Sequence, residues 1–338
     1  MAAVTQTAPR RVETERPQRS LWGDAWRRLI GSSAGRIGLA MTVLLILLAL
    51  FINLLLPYNP ARDRNLRLRL QPPSMLMDQP TQQRLKVDTW SYPFGTDELG
   101  RNLFVRVLHG APISLTVGIF SVAFAVFFGA LLGMVAGYVG GWVDNVAVGI
   151  MDIMLSFPSI LLAIAITTAA SGPNTFSTRI FNSLATVPGI GRVLDQQLFN
   201  AMIAVGIVEI PIFGRITRAT VIALRNQEFV TAARATGVTG NRILFRHILP
   251  NSLAPLLVQA TLTMATAIIS VAALGFLGLG AQPPRPEWGT MLAGARDYVV
   301  QGKWWYPAFP GLAIIITVLG FNLLGDGLRD ALDPRLKR

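Results

Sequence analysis

Two acidic side chains interrupt long apolar stretches of the sequence. Asp152 lies near one end of its stretch, and Glu209 lies within another. An ionisable residue inside a membrane-spanning segment is costly and is therefore a functional candidate by default. For Asp152, an ion pair near the membrane surface and a role along a polar pathway both remain open. Glu209 could contact a cationic group of a ligand, but an ion pair with Arg215 or Arg218 is favoured.

A second candidate is the basic stretch FVTAARATGVTGNRILFRHILPN, which spans residues 229–251 between two apolar stretches. Asn226 is predicted to cap a short helix, because its side chain can accept a hydrogen bond from the first free N–H groups. Glu228 follows in the first turn, where the helix dipole favours an acid. Gly237 is predicted to end this helix in a left-handed conformation.

The second half of the basic stretch is predicted to form another short helix. Thr239 is expected to cap it, and Pro250 is expected to end it after residues 240–249. An ordinary loop with anchoring arginines would explain the charge of the whole stretch. It would not explain three alanines followed by a placed glycine, which suit a helix that inserts into a groove of another protein. From the residues alone, both interpretations remain open.

The sequence lacks two motifs that would indicate nucleotide binding or a zinc protease. It contains no GxxxxGK[ST] and no HExxH. The glycine-rich run at residues 275–280 lacks the GxGxxG order and is interpreted as a packing or turn element. His109 and His247 are far apart and there is no cysteine. The chain is therefore predicted to be non-catalytic and to hold no metal or cofactor.

Composition places these residues in a membrane protein. Of 338 residues, 52% are hydrophobic and 14% are charged, whereas soluble domains have about 25% charged residues. The net charge of +12 is assigned to loops beside the membrane, not to nucleic-acid binding, because the basic residues form no single stripe. Six segments are long and apolar enough to span a membrane. They cover residues 37–56, 113–138, 146–168 with a kink at Pro158, 198–216, 253–274 and 305–324.

Six spans place both termini on one side of the membrane, and the Lys and Arg distribution predicts that this side is the cytoplasm. The inner segments then carry 17 basic residues and the outer ones 13, or 5 without the long first outer loop. The predicted organisation is a cytoplasmic tail with an interfacial helix (1–36), the first span (37–56), an extracytoplasmic segment (57–95), a transmembrane core (96–325) that contains the basic loop (226–251), and a cytoplasmic tail (326–338).

Two further patterns predict how helices pack. Apolar residues at four-residue spacing over residues 20–30 predict an amphipathic helix, capped by Ser20, that lies on the inner leaflet. Gly129, Gly133 and Gly137 form a small-residue face that allows close helix–helix approach in lipid. Whether the helix that packs on this face belongs to the same chain or to a second subunit remains open.

The basic stretch also resembles the EAA loop of ABC-importer permeases of the oligopeptide and dipeptide type. The residues in register with that pattern are Ala232, Ala233, Gly237, Leu249 and Pro250. Thr231 stands where the family often has Glu, and His247 stands at the usual Ile position. Stretches 94–118, 151–164 and 274–298 are similar to other parts of the same permeases, whose motif includes an Asp like Asp152. Residues 59–92 and 171–197 lie outside the resemblance, and the latter look like an insertion.

The resemblance implies an all-α, six-span permease of the type I ABC-importer class in the plasma (inner) membrane. The basic loop would be the coupling helix that docks on a cytoplasmic ATPase. The residues implied in coupling are Phe229, Val230, Thr231, Ala232, Ala233, Arg234, Ala235, Gly237, Arg242, Arg246, His247 and Pro250.

The resemblance also implies partners. Two ATPase chains would bind ATP and Mg, and a second permease, by family habit a different chain, would complete the pathway. An extracytoplasmic solute-binding protein would deliver substrate, and lipid would surround the spans. The implied substrate is a di- or oligopeptide, with nickel complexes or oligosaccharides as alternatives. A stand-alone channel or secondary transporter is the competing class.

Overall fold

The described part of the protein is built from helices. The computed structural model describes residues 21–59, 62–186 and 195–332, and these residues contain no β-strand. The all-α prediction is therefore confirmed. The α-helices in chain order are α1 (Leu21–Gly31), α2 (Ser33–Leu55), α3 (Gln79–Leu85), α4 (Leu103–Val139), α5 (Gly141–Ser156), α6 (Ser159–Ala170), α7 (Phe176–Ala185), α8 (Gln196–Arg225), α9 (Glu228–Ala235), α10 (Gly240–Ile243), α11 (Leu249–Phe276), α12 (Trp288–Val299) and α13 (Trp305–Leu332).

Five of these stretches are long and apolar enough to cross a membrane. They are α2, α4, α8, α13, and α11 together with the helical turns before it. The helices α5 and α6 form a sixth if the bent pair is one span. Several helices are longer than predicted: α4 begins at Leu103, where Asn102 caps it by accepting a hydrogen bond from the N–H of Phe104. At 37 residues it extends well beyond the hydrocarbon core.

The predicted kink at Pro158 is a complete break. The axes of α5 and α6 differ by 98°, and Phe157 between them is extended, with φ −87° and ψ 141°. Proline lacks an N–H group and pushes the preceding residue out of the helical region, so that α5 ends at Ser156. Residues on both sides of the break line a cavity between the helices.

The glycine face of α4 packs within this chain, against α8. A Cβ at Gly129 would lie 2.6 Å from Cβ of Phe213, and a Cβ at Gly137 would lie 3.0 Å from Cβ of Val221. Gly133 fits in the same way against Gly214. Glycine is therefore needed for the close approach of these two helices, and the helix that packs on this face belongs to the same chain.

The amphipathic helix α1 lies against the end of α13. Ala25 and Leu29 pack on Ala331, while Trp26 and Ile30 are exposed. Ser32 then caps α2 by accepting a hydrogen bond from the N–H of Gly35. The predicted cap at Ser20 lies outside the described residues. The two described ends of the chain therefore lie on the same side of the bundle, as an even number of spans requires.

The opposite end of the bundle is covered by an irregular cap segment, residues 62–102. It contains two short helical turns, Leu66–Leu68 and Ser74–Leu76, and the helix α3. Backbone hydrogen bonds link its two halves: the N–H of Leu70 donates to the carbonyl of Asp97 at 3.0 Å. The indole N–H of Trp305 in turn donates to the carbonyl of Thr96 at 3.4 Å. This network fixes the cap segment to α13.

Part of the apparent insertion at residues 171–197 is also helical. Thr175 caps α7 by accepting a hydrogen bond from the N–H of Thr178. Phe181 then packs against Phe199 of α8, with ring centroids 5.7 Å apart. The described part of this region therefore adds a short amphipathic helix to the side of the bundle.

Candidate functional site

The basic stretch folds as a helical hairpin, residues 228–250, which we call the basic hairpin. The predicted cap at Asn226 is wrong, because α8 extends through Arg225 and Asn226 is its last capping residue. Gln227 takes the N-cap position of α9 without a side-chain hydrogen bond. Glu228 lies in the first turn, as predicted.

The turn of the basic hairpin is built on Gly237, which has a φ of +77°. The N–H of Gly237 donates to the carbonyl of Arg234 at 3.0 Å, and the N–H of Val238 donates to that of Ala233 at 3.1 Å. This pair of bonds is the Schellman motif, which ends a helix through a left-handed residue. The predicted helix end at Gly237 is therefore confirmed.

The second half of the basic hairpin continues into α11 without ending at Pro250. Thr239 takes the N-cap position of α10 but makes no side-chain cap bond. A π-helical turn, Leu244–Ile248, joins α10 to α11, and the N–H of Leu249 donates to the carbonyl of Leu244. The prediction that Pro250 ends the helix is wrong. A proline clashes with the carbonyl four residues earlier, and the wider π turn accommodates it.

The inner face of the basic hairpin is buried against α4 and α8. The cluster comprises Met134, Val221, Val230, Ile243, Leu244 and Ile248. A Cβ at Gly240 would lie 2.8 Å from the hydroxyl of Tyr138, at the end of α4. Nη1 of Arg225 donates to the carbonyl of Gly137 at 2.9 Å. The hairpin is thus fixed to two spans.

The outer face of the basic hairpin is exposed. The predicted coupling residues on it are Phe229, Thr231, Ala232, Arg234, Ala235, Gly237, Arg242, Arg246 and Pro250. The guanidinium groups of Arg234, Arg242 and Arg246 form no ion pair with any described residue. This face therefore presents small side chains between positive charges that the described chain leaves unpaired.

Three of the predicted coupling residues are buried or half-buried, and one exposed residue of the basic hairpin was not predicted. Val230 is 0% exposed, and Ala233 and His247 are half-buried, so that Val230 anchors the hairpin. Phe245, in contrast, is 56% exposed between two arginines of the outer face. The sequence could have indicated this exposure, because Phe245 does not share the apolar helix face formed by Leu244 and Ile248.

Two acids near the hairpin end of the bundle are paired with arginines of α8. Arg215 donates to Asp152, and both side chains are about half exposed. Arg218 forms a two-point ion pair with Asp144, in which Nη2 and Oδ2 are 2.6 Å apart. Asp152 therefore makes an ion pair in this structure. The ion pair favoured for Glu209 is not formed, because both candidate arginines bind other acids.

Glu209 lines a cavity of about 560 Å³ between the α5–α6 break, α8, α11 and α13. Its side chain is 8% exposed, and its Oε2 has no hydrogen-bond partner among the described residues. Gln259, Thr263 and Asn322 are among the polar residues on the other walls. The structure thus places this acid on the wall of a cavity near the middle of a span.

The cap segment holds a separate cluster of charges that is internally paired. Asp97 is fully buried and lies 2.6 Å from Nε of Arg101 and 3.2 Å from Nε of Arg106. Nη1 of Arg106 also donates to the hydroxyl of Tyr58 at 3.3 Å. Burial raises the pKa of the nearby Glu98 carboxyl. The sequence analysis did not predict this cluster. The four-residue spacing of Asp97 and Arg101 could have indicated an ion pair.

A second buried acid, Glu287, caps the helix α12 beside the cap segment. Its carboxylate accepts hydrogen bonds at 2.8 Å from the N–H groups of Gly289 and Thr290. Burial nevertheless raises the pKa of Glu287 to about 7, because desolvation of the charged form outweighs these bonds. The geometry indicates a structural cap for the helix before α13.

The described residues contain no group of three or more His, Asp or Glu side chains that could hold a metal ion. His109 is buried near the start of α4, where its Nδ1 lies 2.9 Å from the carbonyl of Val105. His247 lies in the basic hairpin, at the other end of the bundle. The two histidines are therefore not brought together.

These features define a class: a helical membrane protein with a rigid, exposed basic hairpin between two of its spans. Comparison with known proteins gives the family. Residues 129–338 match the family described as binding-protein-dependent transport system inner membrane component, and residues 20–73 match the N-terminal TM domain of oligopeptide transport permease C. The chain belongs to the family of binding-protein-dependent transport inner membrane components, which confirms the resemblance to importer permeases.

Curated relatives match nearly the whole chain. The dipeptide transport system permease protein DppC of Alkalihalophilus pseudofirmus is 46% identical over 318 residues, which cover 94% of this chain and 91% of that protein. DppC of Escherichia coli K12 is 44% identical over 313 residues, 93% of each chain. The di/tripeptide permease of Pseudomonas aeruginosa is 43% identical over 312 residues, 92% and 91% of the two chains. The protein is a multi-pass component of the plasma membrane.

Proposed function

We propose that this chain is the permease subunit of an ATP-driven, binding-protein-dependent importer of di- or oligopeptides. It forms half of the translocation pathway and is itself non-catalytic. The printed names of the three relatives described above, dipeptide or di/tripeptide permeases, support peptides as the substrate. Nickel complexes and oligosaccharides remain alternatives for the same machinery.

The observation that carries the coupling role is the contrast between the two faces of the basic hairpin. The inner face is buried against α4 and α8, while the outer face exposes unpaired arginines and small side chains. A short helix held in this way transmits a rigid-body movement between a partner and the spans. The proposed partner is a cytoplasmic ATPase with an acidic groove.

The membrane orientation follows from the same assignment. The end of α13 and the start of α11 line one cavity through Arg329, Leu332 and Ala254. The described chain ends and the basic hairpin therefore lie on the same side of the bundle. Because the ATPases are cytoplasmic, this side faces the cytoplasm, and the cap segment faces the binding protein outside. The Lys and Arg distribution supports the same orientation.

The proposed mechanism is alternating access. Two ATPase subunits bind ATP and Mg and close on each other, which displaces the basic hairpins of this permease and of a second one. The spans then tilt about the central pathway, and substrate delivered by the solute-binding protein passes inward. This chain contributes positioning and rigidity, while ATP hydrolysis takes place on the partners.

A mild-detergent purification of the tagged chain from its native membranes tests this function. We expect ATPase subunits, a second permease and a solute-binding protein to co-purify, and a peptide to be released from that binding protein. A chain that purifies alone, and that still transports after Arg246→Ala and Gly237→Leu, contradicts the proposal. The competing class, a stand-alone channel or secondary transporter, would then be favoured.

A further inference from the structure

The cavity beside the α5–α6 break has the properties of a ligand site. Its volume of about 560 Å³ lies within the range of small-molecule pockets. Apolar walls come from residues such as Phe157, Ile212 and Leu262. Its polar residues are Ser159, Glu209, Gln259, Thr263, Thr266, Ser270 and Asn322. Glu209 is the only charged side chain among the residues that line it.

Glu209 lacks a cation within the described chain. The arginines that follow it on α8 are engaged elsewhere, Arg215 by Asp152 and Arg218 by Asp144. Glu209 is buried, and an ionised carboxylate without a partner is expensive at this depth in a membrane. The residues that line the cavity offer no positive group to Glu209, so a cation that pairs with this carboxylate would come from outside the described chain.

The hydrogen-bonding groups around Glu209 favour an ammonium ion. Nε2 of Gln259 donates to the hydroxyl of Thr263 at 3.1 Å, which leaves Oε1 of Gln259 as an acceptor. An ammonium group carries three donors and no acceptor, and it matches a carboxylate beside amide and hydroxyl oxygens. A divalent metal ion does not match, because the cavity offers a single carboxylate and no histidine.

We propose that Glu209 binds the protonated amino terminus of a peptide on its way through the permease. This inference rests on the proposed function, since it requires peptides as substrates. The amino terminus is common to peptides of any sequence, so that this contact would orient the ligand without selecting its side chains. The apolar walls and the remaining hydroxyl groups would accommodate varied side chains and the peptide backbone.

A cysteine-protection experiment tests the proposal without depending on the selectivity of the binding protein. Ser270→Cys places one thiol in this naturally cysteine-free chain, on the cavity wall. The complete transporter in nanodiscs is treated with a maleimide in the presence of alanyl-alanine or N-acetyl-alanyl-alanine. We expect alanyl-alanine to slow the alkylation and the acetylated peptide, which lacks the charge, to protect much less.

Variants at Glu209 sharpen this test. Glu209→Gln is expected to raise the alanyl-alanine concentration needed for protection by about tenfold, and Glu209→Asp is expected to retain most of the protection. Asp330→Asn, an exposed acid-to-amide change on α13, serves as the matched control and should behave like the parent protein. Equal protection by the two peptides, unchanged protection in Glu209→Gln, or no protection at all overturns the proposal.

A parallel uptake assay separates this proposal from the proposed function. Proteoliposomes with the parent complex receive binding protein loaded with radiolabelled alanyl-alanine. If the parent complex takes up no peptide, the peptide-importer function itself is wrong and the amino-terminal site falls with it. If uptake is normal but protection does not distinguish the two peptides, only the assignment of Glu209 is wrong.

Discussion

Two groups of charged residues at opposite ends of the helical bundle differ in burial and in pairing. At the cap segment, Asp97 is buried and binds both Arg101 and Arg106 within 3.2 Å. At the basic hairpin, Arg234 and Arg246 are exposed and form no ion pair with the described residues. Charges that a chain pairs internally hold its own structure together. Charges that a rigid surface leaves unpaired are available to a partner.

This difference indicates that the buried charges of the cap segment serve stability, whereas the exposed charges of the basic hairpin serve function. Loss of one partner from a buried ion pair leaves an uncompensated charge in an apolar environment, which is strongly destabilising. Loss of an exposed, unpaired charge changes stability little. Substitutions in the charged cluster of the cap segment and in the basic hairpin should therefore affect different measurements.

The largest effect is expected for Asp97→Asn in the cap segment. The amide cannot compensate Arg101 and Arg106, so the free energy of unfolding should fall by about 3–5 kcal/mol. Thermal unfolding in detergent measures the loss. Asp24→Asn is the control, because it removes an exposed pair with Arg27. If both variants lose the same free energy of unfolding, the buried cluster around Asp97 does not stabilise the fold more than an exposed ion pair does.

The next effect concerns the pH dependence contributed by Glu287. Because burial raises its pKa from 4.5 to about 7, the folded state holds a proton that the unfolded state releases between these values. The resulting stability is present at low pH and is lost as pH rises through about 7, by about 3 kcal/mol in total. Glu287→Gln should remove this slope. A midpoint of thermal unfolding that varies equally with pH in both proteins contradicts the assignment.

A smaller and equal effect is expected for Gly237→Ala and Gly302→Ala. The two glycines have φ values of +77° and +73° and no atom within 4 Å of an added Cβ. Each substitution should therefore cost about 1–2 kcal/mol through the left-handed backbone alone. Only Gly237 lies in the basic hairpin, so only Gly237→Ala should also reduce ATP-dependent uptake. Equal uptake by the two variants would contradict a specific role of the basic hairpin in transport.

The smallest effect on stability is expected for Arg234→Ala combined with Arg246→Ala. Neither guanidinium has an ionic partner in the described chain, so the free energy of unfolding should change by less than about 0.5 kcal/mol per substitution. Uptake and ATPase co-purification should nevertheless fall. Normal uptake in this double variant would show that the outer face of the basic hairpin is not needed for coupling.

Local features of the fold were predictable from the sequence, whereas boundaries set by neighbouring helices were not. Gly237 ends α9 as expected, because the backbone preference of glycine is a property of the residue itself. Asn226 failed as a cap because α8 extends further than its apolar stretch indicates. Pro250 failed as a helix end because the preceding π turn, which depends on the whole hairpin, accommodates the proline.

The partners of charged residues were the least predictable part of the candidate site. Asp144 and Arg218 lie far apart in the chain and meet only because the glycine face of α4 brings α8 close to the start of α5. Without that geometry, Glu209 had two plausible arginines within three helical turns. The sequence alone therefore identified Glu209 as unusual but assigned it the wrong partner.

The coupling role of the basic hairpin can be tested by cross-linking it to an ATPase subunit. The chain has no cysteine, so Ala232→Cys adds a single thiol on the outer face. Val300→Cys, which is 89% exposed beside the cap segment, is the matched control. We expect that a short bifunctional reagent joins Ala232→Cys, but not Val300→Cys, to an ATPase chain, and that ATP changes the yield. Cross-linking to no ATPase chain, or equal cross-linking from both positions, would contradict it.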